Sequence, residues 1–331
     1  MSPATGTHLT LPAEHAAHAS CWMAWPHLDH EWPDLTAAQV EHLALVRAIA
    51  ETEAVDLLVH PDVEAPDAGA NVTIHRMAYG DAWTRDSLPV MARSASGDEI
   101  ALVFDFDGWG GKYPMEGDLD LAPRIAETFG LESRRFDFVF EGGGIEIDGE
   151  GTILTTDPWL RRLATRRETT VDAVMAEMKE ALGAEALISV EAMLANDHTD
   201  GHVDTLVRFV RPGAVVTMGL TPSDPNGAML MALQEQLLQQ QDAAGRTLEV
   251  HVIPSPGQVR NEDGELLPAS YANYYLANEQ VLVPTYGVPA DEQAVTQLAM
   301  LFPDRRVRGL SSRAILEGGG AFHCITQQRP A

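Results

Sequence analysis

The chain has 331 residues, 45% of them hydrophobic, and a formal net charge of −27 from 49 acidic against 22 basic side chains. That balance excludes a nucleic-acid binder, which needs a basic face. No window approaches the ~20 apolar residues of a membrane span, so no membrane partner is expected. An acidic surface keeps a protein in solution and draws cations in preference to anions. No linker or low-complexity stretch divides the chain, so one domain over residues 1–331 is expected. The N-terminal stretch MSPATGTHLTLPAEHAAH lacks the basic and apolar regions of a secretory signal. The two cysteines, Cys21 and Cys324, cannot make a disulfide framework. Both points lead to the expectation of a reducing, cytoplasmic setting.

In chain order, SCWMAW (20–25) reads as a strand. Pro33 and Asp34 then start a helix over 35–54. VDLLVH (55–60) and IALVFDF (100–106) read as strands, a helix follows near 119–129, and GTILTT (151–156) is again strand-like. Thr169 and Thr170 open a helix over 170–182. DTLVRFV (204–210) and AVVTMGL (214–220) are strand-like, and Asp224 and Pro225 open a helix over 226–244. Within it, MLMALQEQLLQQQ spaces apolar residues three and four apart. EVHVIP (249–254) and YYLANEQVLVPTY (274–286) are strand-like, a helix covers 290–302, and AILEGGG (314–320) reads as strand-like. Five helices at roughly sixty-residue spacing suggest five βαβ-like units. FEGGG at 140–144 returns as LEGGG at 316–320, each copy leading into a β-like segment. Such units stack as a solenoid or close radially, and a compact site drawn from distant loops needs the closed form.

Chemistry centres on Cys324, which follows three glycines, Gly318, Gly319 and Gly320. An isolated cysteine is more often a small buried hydrophobe. Glycines, however, let a substrate approach the backbone closely and can aim N–H groups at developing charge. Cys21, between Trp22 and the apolar run, reads as core. A thiol nucleophile needs a proton-exchanging histidine. In DHTDGHVDTLVRF (197–209), a turn at Thr199–Gly201 leads into a run from His202. On a strand, His202 and Asp204 would share a face. His198 and His202 have a zinc-like spacing, but the turn breaks that helix and no HExxH or CxxC adds ligands, so no metal is expected. WTRDSLP (83–89) offers Trp83, Arg85 and Asp86, although Arg85 and Asp86 would also suit a surface ion pair. Glu141 in FEGGG reads equally as a turn residue. DGWGGKYP (107–114) adds Trp109 and Tyr113. Carboxylates beside a thiol oppose thiolate formation. They make sense if the substrate is itself a cation, and a planar guanidinium matches paired carboxylates.

These strings, with PAEHAAHASCWMAWPH (12–27), LPASYANYYLANEQVLVPTYG (267–287) and ILEGGGAFHCITQQRP (315–330), resemble the agmatine deiminase family. That family includes bacterial peptidylarginine deiminases and lies within the guanidino-group-modifying superfamily. The resemblance implies an α/β fold, the pentein: a five-bladed αβ propeller of ββαβ-type units around a central site. It implies Cys324 as nucleophile, His202 as proton shuttle, Asp86 and Asp204 as the guanidinium clamp and Glu141 as support for the histidine. Trp83, Trp109 and Gly319 fall in its substrate pocket. Departures are Leu88 for a usual glycine, His198 for an aspartate, Glu279–Gln280 for Asn-Gly, and His15 and Ala17 near the start; Leu88 bears on the loop carrying Asp86. The implied activity is hydrolysis of agmatine to N-carbamoylputrescine and ammonia through a cysteine adduct, in polyamine biosynthesis, with no cofactor. Relatives suggest a homodimer. Arginine or peptidyl-arginine deimination is the alternative, with Arg85 or Arg208 as carboxylate receptor. The rival from another class is a non-catalytic guanidine- or polyamine-binding protein.

Overall fold

The computed structural model describes residues 9–221 and 224–331; the first eight residues of the stretch read above for a leader lie outside the described residues. Five small sheets repeat one plan, in which a first strand pairs antiparallel with a second and a helical crossover leads to a parallel third. The crossover is needed because parallel neighbours cannot be joined by a tight turn. The first sheet has four strands: β1 (His18–Ala24), which is the second strand of the plan, β2 (Ala54–Val59) parallel to it after α1 (Leu35–Ala50), and an added parallel strand, β3 (Val72–Arg76). The second holds β4 (Val90–Arg93), β5 (Glu99–Asp105) and, after α2 (Leu121–Thr128), β6 (Glu132–Val139). The third holds β7 (Glu146–Ile147), β8 (Thr152–Thr156) and, after α3 (Asp157–Arg166) and α4 (Val171–Leu182), β9 (Ala186–Val190). The fourth holds β10 (Val207–Arg211), β11 (Ala214–Gly219), α5 (Gly227–Leu237) and β12 (Glu249–Pro254). The fifth holds β13 (Tyr275–Leu276), β14 (Gln280–Thr285), α6 (Asp291–Leu301) and β15 (Arg306–Ser311). The last strand, β16 (Gln327–Pro330), returns to the first sheet and pairs antiparallel with β1.

Burial sorts the strands. The middle strand β11 is buried at every position, which is why AVVTMG reads as an unbroken apolar run. The third strands β12 and β15 are mostly half-buried or exposed, so they lie outside. First strands lie within, β16 beside β4 and β7 beside β10. The last and first sheets are stitched by polar groups: the Tyr275 hydroxyl donates to Glu53 (2.6 Å), and so does the Asn278 N–H (2.8 Å). Among the described residues no helix is long and apolar enough to cross a membrane.

Local signals set most boundaries. Asp34 accepts from Ala37 N–H at the start of α1, and Thr170 from Ala173 N–H at the start of α4. Gly183 ends α4 with φ +65°, a conformation that favours glycine. Four expectations are corrected. The helix expected to 244 stops at Leu237, because the Asp242 carboxylate gathers the N–H groups of Ala244 and Arg246 into a turn. AILEGGG is a short helix, Arg313–Glu317, and a glycine turn rather than a strand. The two EGGG copies differ in backbone, since Gly142–Gly144 is a 3-10 turn whereas Gly319 sits at φ +121°. Val203–Thr205 is likewise a 3-10 turn, so His202 and Asp204 do not share a strand face; β10 begins only at Val207.

Candidate active site

The sheet plan explains how distant residues meet. Asp86 precedes β4, Glu141 precedes β7, His202 and Asp204 precede β10, Asn273 precedes β13 and Cys324 precedes β16, none by more than five residues. Because first strands are the inner ones, their leading ends converge. Of these residues, Asp86 and Cys324 line a cavity of about 180 Å³ together with Trp83, Trp109, Gly319 and Gly320, whereas Glu141, His202, Asp204 and Asn273 are buried and do not line it. Glu31, Tyr113, His198 and Glu317 also line it and are half-buried or exposed, which puts them on its solvent side, the mouth. Cys324 keeps 8% of its surface exposed and so opens to this cavity, while Cys21 is fully buried, as the sequence implied.

The acids are held by named donors. Asp86 accepts from Gly143 N–H and from the Trp109 indole N–H, each at 2.8 Å. Trp109 reaches it from a backbone at φ +54°, in a loop where Gly108, Gly110 and Gly111 are also left-handed. His202 Nε2 meets Glu141 Oε2 at 2.9 Å, and the same oxygen accepts from Trp159 Nε1 at 2.7 Å and from Arg162. Asp204 Oδ2 is 2.7 Å from His323 Nδ1 and 3.8 Å from the Cys324 sulfur. Asn273 Oδ1 accepts from the N–H groups of His323 and Cys324, at 3.1 and 3.4 Å, and lies 3.4 Å from Sγ. Among the site's buried atoms without a hydrogen-bond partner are His202 Nδ1, 3.7 Å from Asp86 Oδ2, Asp204 Oδ1, Glu141 Oε1 and Asn273 Nδ2. A buried orphan group is costly, so those of His202 and Asp204 are where a ligand would be held.

Electrostatics follow from that crowding. Burial pushes the Cys324 thiol well above its ordinary value, and Asp204 and Asp86 push it further. Burial opposes a charged His202, but Asp86 and Glu141 outweigh it and lift the ring to about 9. Burial also raises Asp86, with His202 pulling against it. At neutral pH the resting site therefore holds a neutral thiol and an imidazolium.

Glycines are required by space. A Cβ on Gly143 would lie 2.6 Å from His202 Nδ1, and one on Gly320 would lie 3.1 Å from Cys324 Sγ and 2.6 Å from the Trp83 ring. Gly143→Ala is expected to lower kcat/KM by about 100-fold, because a shift near 1 Å misaligns reacting groups. Steady-state kinetics beside an unchanged far-ultraviolet circular dichroism spectrum would check it.

The sequence reading placed Arg85 against Asp86 or as a carboxylate receptor. Instead its guanidinium turns away to Gln328 Oε1 (2.7 Å) and the His323 carbonyl (3.3 Å). Arg208 is fully buried, donating to Glu146 (2.8 Å) and Glu14. Neither lines the cavity. His198, considered with His202 for zinc, stacks on Tyr113 at the mouth. Asn273, His323, Glu14, Trp159 and Arg162 were not anticipated. For the last two a signal existed: Thr156 caps α3 and Pro158 sits in its first turn. A helix was therefore readable there.

The family model for Porphyromonas-type peptidyl-arginine deiminase matches residues 10–330. The agmatine deiminase of Stutzerimonas stutzeri is 34% identical, over 97% of this chain and 95% of its own. A solved agmatine deiminase of Enterococcus faecalis superposes with a TM-score of 0.92 at 27% identity, covering 99% of this chain and 98% of its own. A dimethylarginine dimethylaminohydrolase shares the fold, with a TM-score of 0.55 at 15% identity over 94% of this chain and 99% of its own.

Proposed function

The chain belongs to the Porphyromonas-type peptidyl-arginine deiminase family, and on that premise we propose that it is an agmatine deiminase. It converts agmatine and water to N-carbamoylputrescine and ammonia, a step of polyamine biosynthesis. Asp86 and the free Oδ1 of Asp204 grip the guanidinium. The bound cation offsets the two acids that hold the thiol protonated, and the thiolate forms. Sulfur adds to the guanidinium carbon, His202 gives its proton to one nitrogen, and ammonia leaves. The neutral ring then takes a proton from water as the water adds to the S-amidino adduct. Collapse breaks the C–S bond and frees the ureido product and the thiolate. The sulfur splits one hard hydrolysis into two easier steps. Glu141 orients the histidine, and Trp83, Trp109 and Gly319 wall the substrate channel.

The observation that carries the choice of agmatine is the mouth. It presents Glu31 and Glu317, and among the described residues the cavity lining holds no lysine or arginine. A distal ammonium suits that rim, whereas the carboxylate of free arginine meets like charge. Ammonia release from agmatine, arginine and a blocked arginyl peptide, compared by kcat/KM, tests this. Agmatine is expected to lead arginine by at least ~100-fold, from like-charge costs of several kcal/mol. Equal values would overturn the assignment. Absence of ammonia from all three would favour a non-catalytic binder.

A second outcome concerns pH. His202 acts as an acid only while protonated, and its value is raised to about 9. kcat is therefore expected to hold through pH 8 and fall as pH rises through about 9, which a kcat–pH profile checks. The site takes a group from every sheet, which supports one catalytic domain over residues 1–331. A free thiol nucleophile suits a reducing, cytoplasmic compartment.

A further inference from the structure

We infer that His323, the residue just ahead of the nucleophile, is a positioning residue: its ring bridges Asp204 and Glu14, holds one oxygen of Asp204 and leaves the other free for the guanidinium. The inference rests on the deiminase reading, in which Asp204 grips the substrate cation.

The geometry is specific. His323 Nδ1 is 2.7 Å from Asp204 Oδ2, and its Nε2 is 2.8 Å from Glu14 Oε2. Carboxylate oxygens only accept, so a ring between two carboxylates must donate from both nitrogens. Glu14 is no proton reservoir. Burial works to raise its carboxyl, but Arg208 and His323 outweigh this and hold it well below the ordinary range. Its other oxygen accepts from Leu276 N–H at 2.9 Å. Asp204 behaves alike: burial raises its carboxyl, and the hydrogen bond and charge of His323 win, leaving it low.

Around Asp204 stand His323, His202, Arg208, Cys324 and Asp86. Around His323 stand Asp204 and Glu14, with Arg208 and Arg85 behind Glu14. Without His323, Asp204 keeps a burial penalty with its nearest opposing charge gone.

Two measurements test this. In protein labelled with nitrogen-15 at histidine, the ring signals that disappear in His323→Gln are expected to belong to a ring that carries hydrogen on both nitrogens. Finding a bare nitrogen on that ring overturns the inference. This reading needs no turnover, so it fails or stands apart from ammonia release by the wild type, which tests the deiminase reading. In His323→Gln, kcat/KM for agmatine is expected to drop about 10-fold or more at pH 6.5, mainly through KM. The acid limb should move to higher pH, because a buried carboxyl stripped of its cation ionises later. A uniform loss with an unmoved acid limb would mean that the ring only fills space.

Discussion

Cys324→Ala is expected to abolish ammonia release from agmatine, with a loss of order 10⁵–10⁶ in kcat, as for removal of other enzymic nucleophiles. Binding should survive. In the proposed mechanism Asp86 and Asp204 grip the guanidinium, and Asp86 keeps its donors Gly143 and Trp109 when the sulfur is gone. Binding should even release fewer protons in the variant. In the wild type the thiol is protonated at rest, since burial, Asp204 and Asp86 all raise it. Arrival of a cation between those acids lowers the thiol, and its proton departs. Titration calorimetry in two buffers of different ionisation enthalpy counts those protons, and an ammonia assay reads turnover. Turnover within 10-fold of wild type would end the thiol mechanism. Tight binding with proton release unchanged in the variant would leave the chemistry but remove the substrate-assisted thiolate.

Asp204→Asn is expected to move two observables in opposite directions. The amide keeps an oxygen where Oδ1 stands but loses the charge that holds the guanidinium. Breaking one member of a buried charge pair costs about 2–5 kcal/mol, so kcat/KM should fall by roughly 10²–10³. The thiol, however, loses a neighbouring anion. After burial, Asp204 is the largest influence raising Cys324, so its removal lowers the thiol toward the ordinary range. More thiolate is then present at pH 7, and iodoacetamide should alkylate Cys324 faster than in the wild type. Alkylation that slows, or an unchanged kcat/KM, would contradict the place given to Asp204. A variant that is merely misfolded would not combine a poorer enzyme with a single faster-reacting, mappable cysteine.

The structure also explains why some sequence readings erred while the site they pointed to stands together. His202 and Asp204 were linked by assuming a strand, and the strand is absent. The 3-10 turn at Val203–Thr205 still brings both into one buried cluster, His202 to Glu141 and Asp204 to Cys324. The glycines around Cys324 were noticed for their freedom, and Gly319 does use φ +121°. Gly143 and Gly320 matter instead because no room exists for a Cβ. Asn273 sits in YANYYL among apolar and aromatic neighbours, with no local sign that its amide would reach the nucleophile. The helix over 226–244 was overdrawn because its glutamine-rich tail keeps helical composition, while Asp242 organises a turn.

Local periodicity, capping residues and the scarcity of cysteine were enough to place most strands and helices and to make Cys324 and His202 candidates, while the roles of Asp86, Asp204 and Glu141 came with the family resemblance. Those signals lie within one or two turns of chain, where side-chain spacing itself carries the message. Only the folded arrangement decided which polar groups serve them. His323 reaches Glu14 across 309 residues, and Arg162 and Trp159 reach Glu141 from a different helix. Partnerships of that kind leave no periodic trace. A glutamate in a loop reads as solvated until the convergence of inner strands buries it beside a cation.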